Sequence, residues 1–75
     1  MHTFVTGGTG FVGSWLVDRL LKDNHHVDLL VRKPKQYTNK HPNLKVLQGD
    51  ITDPSSLEQV SENTDVIFHL AGLVA

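Results

Sequence analysis

Apolar residues along this chain fall into two rhythms. Four short blocks, each bounded by polar or turn-forming residues, read as strands: residues 2–6 (HTFVT), 26–31 (HVDLLV), 44–48 (LKVLQ) and 65–70 (DVIFHL). The second is almost continuously apolar, as expected of a strand covered on both faces. Residues 11–22 (FVGSWLVDRLLK) follow a helical period instead. Val12, Trp15, Leu16, Leu20 and Leu21 are expected on one face, with Asp18, Arg19 and Lys22 on the other. Asp23-Asn24 ends the helix, with Asn standing in for the usual terminal Gly. Residues 32–42 are polar, carry two prolines and three lysines, and read as a loop with room for one helical turn. Asp53-Pro54-Ser55-Ser56 is a helix start: Asp as N-cap, Pro at the first helical position. That helix is expected to run to about residue 60 or 62.

The order is thus strand and helix in alternation, with a loop or short helix between the second and third strands. Such an alternation gives a parallel sheet with right-handed crossovers. The expected fold is α/β: the N-terminal part of a Rossmann doubly wound sheet, strand order 3-2-1-4. That order sets the first and fourth strands side by side at the switch point, where ligands bind in such folds.

Size and charge narrow the classes. Seventy-five residues make one small domain, residues 1–75, whose stability is expected to be marginal. A net charge of −1 gives no reason to expect nucleic acid. There is no cysteine, and hence no disulfide or thiolate chemistry. No apolar run approaches the roughly 20 residues of a membrane span. No signal-peptide pattern opens the chain. A cytoplasmic protein without a membrane partner is the expectation.

The candidate chemistry begins at VTGGTGFVGSW, residues 5–15. A tight strand-to-helix turn needs a residue free to take positive φ, and Gly7 or Gly8 serves. Gly10 has no Cβ, so a pyrophosphate can approach the backbone. Gly13 lies inside the helix, where glycine costs about 1 kcal/mol relative to alanine; close packing of helix on strand accounts for it. The helix N-terminus offers free amides and the positive end of a dipole to an anion. A purely structural turn is the competing reading, but a strand before the glycines and a helix after them is the context a nucleotide loop requires. No Gly-Lys-Ser/Thr follows, which excludes a Walker-type loop.

The spacing Gly7-x-x-Gly10-x-x-Gly13 resembles the short-chain dehydrogenase/reductase superfamily, in its extended branch of epimerases, dehydratases and reductases. The segments GFVGSWLVDRLL and VRKP resemble most the dihydroflavonol- and cinnamoyl-type reductases. GDITDPSSL and FHLAG resemble the branch's segments after strands three and four. The resemblance covers nearly the whole chain. It implies a nicotinamide dinucleotide held at Gly7, Gly8, Thr9, Gly10, Phe11, Val12 and Gly13. It also implies Asp50 accepting a hydrogen bond from the adenine amino group and Ile51 packing on the ring. Leu70, Ala71 and Gly72 would lie along the ribose and nicotinamide side. A capping role for Asp50 and a plain turn at Ala71-Gly72 compete with these readings.

No carboxylate stands between Asp28 and Asp50, whereas Arg32, Lys33 and Lys35 cluster at the end of the second strand. An acidic residue there suits the ribose hydroxyls of NAD, and an arginine suits the 2′-phosphate of NADP. A guanidinium meets a phosphate through two parallel hydrogen bonds. NADP is therefore favoured over NAD, with Arg32 on the 2′-phosphate and Lys33 assisting. A solvated basic loop is the alternative.

In the superfamily a Tyr-x-x-x-Lys pair supplies the proton chemistry. The lone tyrosine, in YTNK at residues 37–40, is one residue short of that spacing and follows strand two, so no catalytic residue is assigned. The chain is expected to be the cofactor-binding N-terminal piece of a longer reductase or epimerase, binding nucleotide without turnover; whether it is itself an enzyme stays open. A non-catalytic nucleotide-sensing module on the same fold is the alternative. His2, His25, His26, His41 and His69 show no metal-ligand spacing. A sheet of four strands leaves an edge unpaired, so self-association through that edge is expected.

Overall fold

The computed structural model describes residues 1–7, 10–50 and 52–70. Four strands, β1 (His2–Thr6), β2 (His26–Val31), β3 (Leu44–Gln48) and β4 (Val66–His69), form one sheet in the order β3-β2-β1-β4. All three pairings are parallel. This is the expected order, and the doubly wound arrangement follows from it. β1 and β2 are interior strands, and nearly every residue in them is buried; β2 is accordingly close to continuously apolar, whereas β1 buries Thr3 and Thr6 beside Phe4 and Val5. The β4 ladder reaches past its formal ends. Asp65 N–H donates to the His2 carbonyl at 2.8 Å and Leu70 N–H to the Thr6 carbonyl at 3.0 Å, so residues 65–70 act together.

One α-helix, α1 (Phe11–Lys22), packs on the sheet. Val17, Leu20 and Leu21 close over Val5, Val27, Leu29 and Val31, with Leu16, Leu44, Val46 and Phe68 at the margins. The buried arc differs from the expected one. It is centred on Gly13, Val17 and Leu20, whereas Val12 and Trp15 are 60% and 64% exposed. Glycine carries no hydrophobic signal, yet Gly13 lies on the buried side. The apparent apolar face in the sequence is therefore rotated toward Trp15. The helix ends as anticipated: Asn24 takes φ 64°, and Asn24 N–H donates to the Leu21 carbonyl at 3.0 Å.

The connections on either side of β3 are 3₁₀ turns. Pro34–Gln36 makes a single turn inside the expected loop. Pro54–Gln59 is 3₁₀ rather than the α-helix expected there. Its start is as anticipated, with Asp53 Oδ1 accepting from Ser55 N–H at 3.1 Å. Its continuation is diverted, because Ser56 turns its hydroxyl to the Asp50 amide and Gln59 turns its side-chain amide to the Gln48 carbonyl at 2.8 Å. Side chains that bond the neighbouring loop pull the segment away from α-helical spacing. Among the described residues no helix is long and apolar enough to cross a membrane.

Candidate functional site

β1 ends at Thr6, and the chain leaves it through Gly7 at φ 74°, a conformation L side chains rarely adopt. The chain then enters α1 with Gly10 as N-cap, at φ −78° and ψ 178°, its carbonyl accepting from Ser14 N–H at 2.8 Å. No side chain caps this terminus, and no acidic residue stands in the first turn. Among the described residues no side chain competes for the first-turn amides, and the helix dipole favours an anion there. A Cβ built on Gly10 would meet nothing within 4 Å. Among the described residues nothing requires glycine at that position, and the space beside it is open. Gly13 is buried against the sheet. Phe11 is 92% exposed, and Val12 and Trp15 are exposed beside it. Gly8, Thr9, Ile51, Ala71 and Gly72, also named from the sequence, lie outside the described residues.

Arg32 follows β2 and borders two clefts. One, of about 410 Å³, is lined by Val31, Arg32, Lys33, Gln36 and Tyr37. The other, of about 370 Å³, runs from Arg32 past Gly49 and Asp50 to Asp53, Ser56 and Gln59. Lys33 lines the first cleft and Asp50 the second, with Arg32 bordering both. The Asp50 carboxylate accepts from Thr52 N–H at 2.9 Å and Thr52 Oγ1 at 2.8 Å. The Thr52 amide, then its hydroxyl, hold the Asp50 acid below the usual aspartate range against a smaller desolvation effect, and Arg32 adds to the lowering. Asp50 thus has a local capping role, and its carboxylate stays ionised and points along the second cleft's rim.

Two residues escaped the sequence reading. Gly49 is one: a Cβ there would lie 2.6 Å from Leu30 Cδ1 and 2.7 Å from Ser56 Oγ. Its amide donates to the Val31 carbonyl at 2.9 Å, tying the end of β3 to the end of β2 beside Arg32. A glycine directly after a strand was the available signal. The second is His69, whose Nδ1 lies 2.7 Å from Thr6 Oγ1. It joins β1 to β4 at the crevice where the glycine turn departs. Leu70 packs on the core beside it.

The other histidines disperse. His2 Nε2 bonds Asp28 Oδ2 at 2.8 Å and stacks on His26; His25 meets the N-terminal amine; His41 Nδ1 accepts from Asn43 N–H. Among the described residues no group of three or more His, Asp or Glu could hold a metal. Tyr37 lines the Arg32 cleft and packs on the core, away from the β1–β4 crevice.

Comparison with known proteins agrees with this arrangement. The chain is 46% identical over 73 residues to a 3 beta-hydroxysteroid dehydrogenase/Delta 5-->4-isomerase of Mycobacterium tuberculosis, covering 97% of this chain and 20% of that protein. It is 38% identical over 76 residues to a dihydroflavonol 4-reductase of Gerbera hybrida, covering 89% of this chain and 21% of that protein. The chain thus spans about a fifth of the length of these relatives. Uronate dehydrogenase from Agrobacterium tumefaciens, solved as a Y136A mutant with NAD, superposes with a TM-score of 0.74 at 26% identity, over 92% of this chain and 25% of that one. UDP-glucose 4-epimerase from Thermotoga maritima, solved with UDP-glucose, gives 0.74 at 29% identity, over 93% of this chain and 24% of that one. The model of the NAD dependent epimerase/dehydratase family matches residues 3–75, and the chain belongs to that family.

Proposed function

We propose that this chain binds NADP(H) in preference to NAD(H), as the cofactor-holding part of a reductase or epimerase. In the whole protein it would serve hydride transfer between the cofactor and a carbonyl or alcohol substrate. The observation that carries the preference is Arg32, which borders both clefts at the end of β2, with Lys33 beside it and no carboxylate between Asp28 and Asp50. The 2′-phosphate would lie on Arg32 and Lys33, and the adenine along Asp50 and Ile51. The pyrophosphate would lie over Gly7, Gly10 and the α1 N-terminus. The residues present fit the group: Gly10 leaves open space where a Cβ would stand, and the α1 amides have no side-chain cap.

The bound cofactor supplies the hydride. The chain's own part is orientation. Gly7 sets the turn, Gly10 would admit the diphosphate to the backbone, and the α1 amides would donate to its oxygens. Asp50, held by Thr52, would accept from the adenine amino group. His69, bonded to Thr6, and Leu70 would border the nicotinamide end.

Titrating the chain with NADPH and, separately, NADH while following nicotinamide fluorescence tests this reading. NADPH is expected to bind more tightly, and Arg32→Ala is expected to reduce its affinity by roughly tenfold or more while leaving NADH unchanged, as befits loss of a charge-assisted hydrogen bond. A preference for NADH would overturn the assignment of Arg32.

A further inference from the structure

The two clefts beside Arg32 differ in chemistry. The first is lined by Val31, Arg32, Lys33, Gln36 and Tyr37, and among the described residues no carboxylate lines it. Every polar side chain on it can donate a hydrogen bond: a guanidinium, an ammonium, an amide and a phenol. The second cleft carries Asp50 and Asp53. An anion is therefore favoured in the first and disfavoured in the second. The amide side chains differ as well. Gln59, on the second cleft, donates to the Gln48 and Ser56 carbonyls at 2.8 and 3.4 Å. Gln36, on the first, is exposed, and among the described residues its side-chain amide enters no hydrogen bond.

We propose that Gln36 is a selectivity residue that donates its side-chain amide to the cofactor's 2′-phosphate in the first cleft, and that Tyr37 is the positioning residue that holds it there. This rests on the reading that the chain prefers NADP(H). The local backbone brings Gln36 to its place. Pro34 fixes the start of the Pro34–Gln36 turn. Gln36 N–H donates to the Lys33 carbonyl and Tyr37 N–H to the Pro34 carbonyl, both at 3.0 Å. The turn thus closes Gln36 on Lys33, and both line one cleft with Arg32. A turn of three residues would not hold an exposed glutamine in place alone. Tyr37 supplies the anchor: it is half-buried, packs on the core and lines the same cleft. Beyond it, Asn39 Nδ2 reaches Asp18 Oδ1 on α1 at 3.4 Å, a long contact that ties the segment to the helix. The YTNK segment, too short for a catalytic pair, is thus a brace for the phosphate cleft.

The chemistry of the phosphate calls for such a residue. A guanidinium in bidentate contact serves two phosphate oxygens, which leaves further acceptor sites for Lys33 and Gln36. An amide also separates the two cofactors. Its bond to a phosphate is charge-assisted, whereas its bond to the ribose hydroxyl of NAD(H) is not.

Titration of the 75-residue chain with NADPH and with NADH, followed by nicotinamide fluorescence, tests the proposal in variants of Gln36 and Tyr37. Gln36→Ala is expected to weaken NADPH binding about tenfold, as for one lost charge-assisted hydrogen bond. Gln36→Glu should weaken it further, because a carboxylate then faces the phosphate. It should leave NADH at least as tightly bound, since a carboxylate accepts from ribose hydroxyls. Tyr37→Phe keeps the anchoring ring and should retain the NADPH preference. Tyr37→Ala should lose that preference without weakening NADH. In the unaltered chain, the Gln36 side-chain amide resonances should shift on saturation with NADPH and stay in place with NADH. Unchanged NADPH affinity in Gln36→Glu overturns the proposal. So does an equal loss for both cofactors, or a Gln36 resonance that does not respond to NADPH. If Tyr37→Ala does not fold, as judged by circular dichroism, the Gln36 variants and the resonances decide alone. Arg32→Ala separates this failure from that of the underlying reading. An NADPH preference that Arg32→Ala removes and Gln36→Glu spares leaves the reading standing and overturns the role of Gln36. No NADPH preference in the unaltered chain overturns both.

Discussion

Thr6 Oγ1 and His69 Nδ1 meet at 2.7 Å across the β1–β4 ladder, next to the turn at Gly7. The two partners are not equivalent. Thr6 is 2% exposed, and His69 is exposed. Removing His69 leaves a buried hydroxyl unpaired, whereas removing the hydroxyl leaves a ring that water can serve. His69→Ala is therefore expected to cost more stability than Thr6→Val, about 2 kcal/mol against about 1. Urea denaturation of the two variants, compared through their midpoints at equal slope, checks the order.

Gly49 is a packing glycine. Its surroundings, Leu30 Cδ1 at 2.6 Å and both Oγ and Cβ of Ser56 within 2.9 Å, leave no room for a methyl group. Ser56 cannot easily yield, because its hydroxyl accepts from the Asp50 amide at 2.9 Å. Gly49→Ala is expected to destabilise the chain by about 1–3 kcal/mol. It should also reduce nucleotide affinity, since Asp50 and Arg32 flank the disturbed cleft. Thermal unfolding and the fluorescence titration measure the two effects separately.

Legibility in the sequence tracked how local each cause was. The strands, α1, its Asn24 terminus and the positive φ of a loop glycine depend on residues adjacent in sequence, and all stand where the pattern put them. The buried arc of α1 did not, because it includes Gly13, which carries no hydrophobic signal in the sequence. The 3₁₀ course of Pro54–Gln59 rests on bonds from Ser56 and Gln59 to residues six and eleven positions away. At the candidate site, the turn at Gly7 and the place of Arg32 directly after β2 were legible because each depends on residues adjacent in sequence. His69 was not, because its partner Thr6 is 63 residues distant. Gly49 was missed because the clash that requires glycine involves Leu30 and Ser56, neither of them a sequence neighbour.

Asp50 gives the chain an acid dependence. Its acid constant is lowered in the fold, chiefly by the Thr52 amide and hydroxyl and further by Arg32. A group lowered in the native state stabilises it fully above its ordinary value, about 3.9, and loses that contribution as pH falls through the lowered value. Asp50→Asn should therefore flatten the acid limb of the stability profile below that ordinary value and leave its slope near neutrality unchanged. Denaturation midpoints taken from neutral pH downward, for both chains, would show the two curves converging in acid.

Gly10 separates stability from binding. It is the N-cap of α1 in an extended conformation open to any residue, and a Cβ there touches nothing. Serine is a better cap than glycine by a few tenths of a kcal/mol, since its hydroxyl can accept from a first-turn amide. Gly10→Ser should thus leave the free chain as stable as before, or slightly more so. Yet the new Cβ occupies the space through which a diphosphate would reach the backbone, and the new hydroxyl competes for the amides it would use. Nucleotide affinity is expected to fall by at least about tenfold, the equivalent of one lost charge-assisted hydrogen bond. Unfolding and titration of the same preparation distinguish the outcomes. Intact stability with lost affinity means that the loop is shaped for a ligand. Unchanged affinity would mean that the diphosphate does not pass over Gly10.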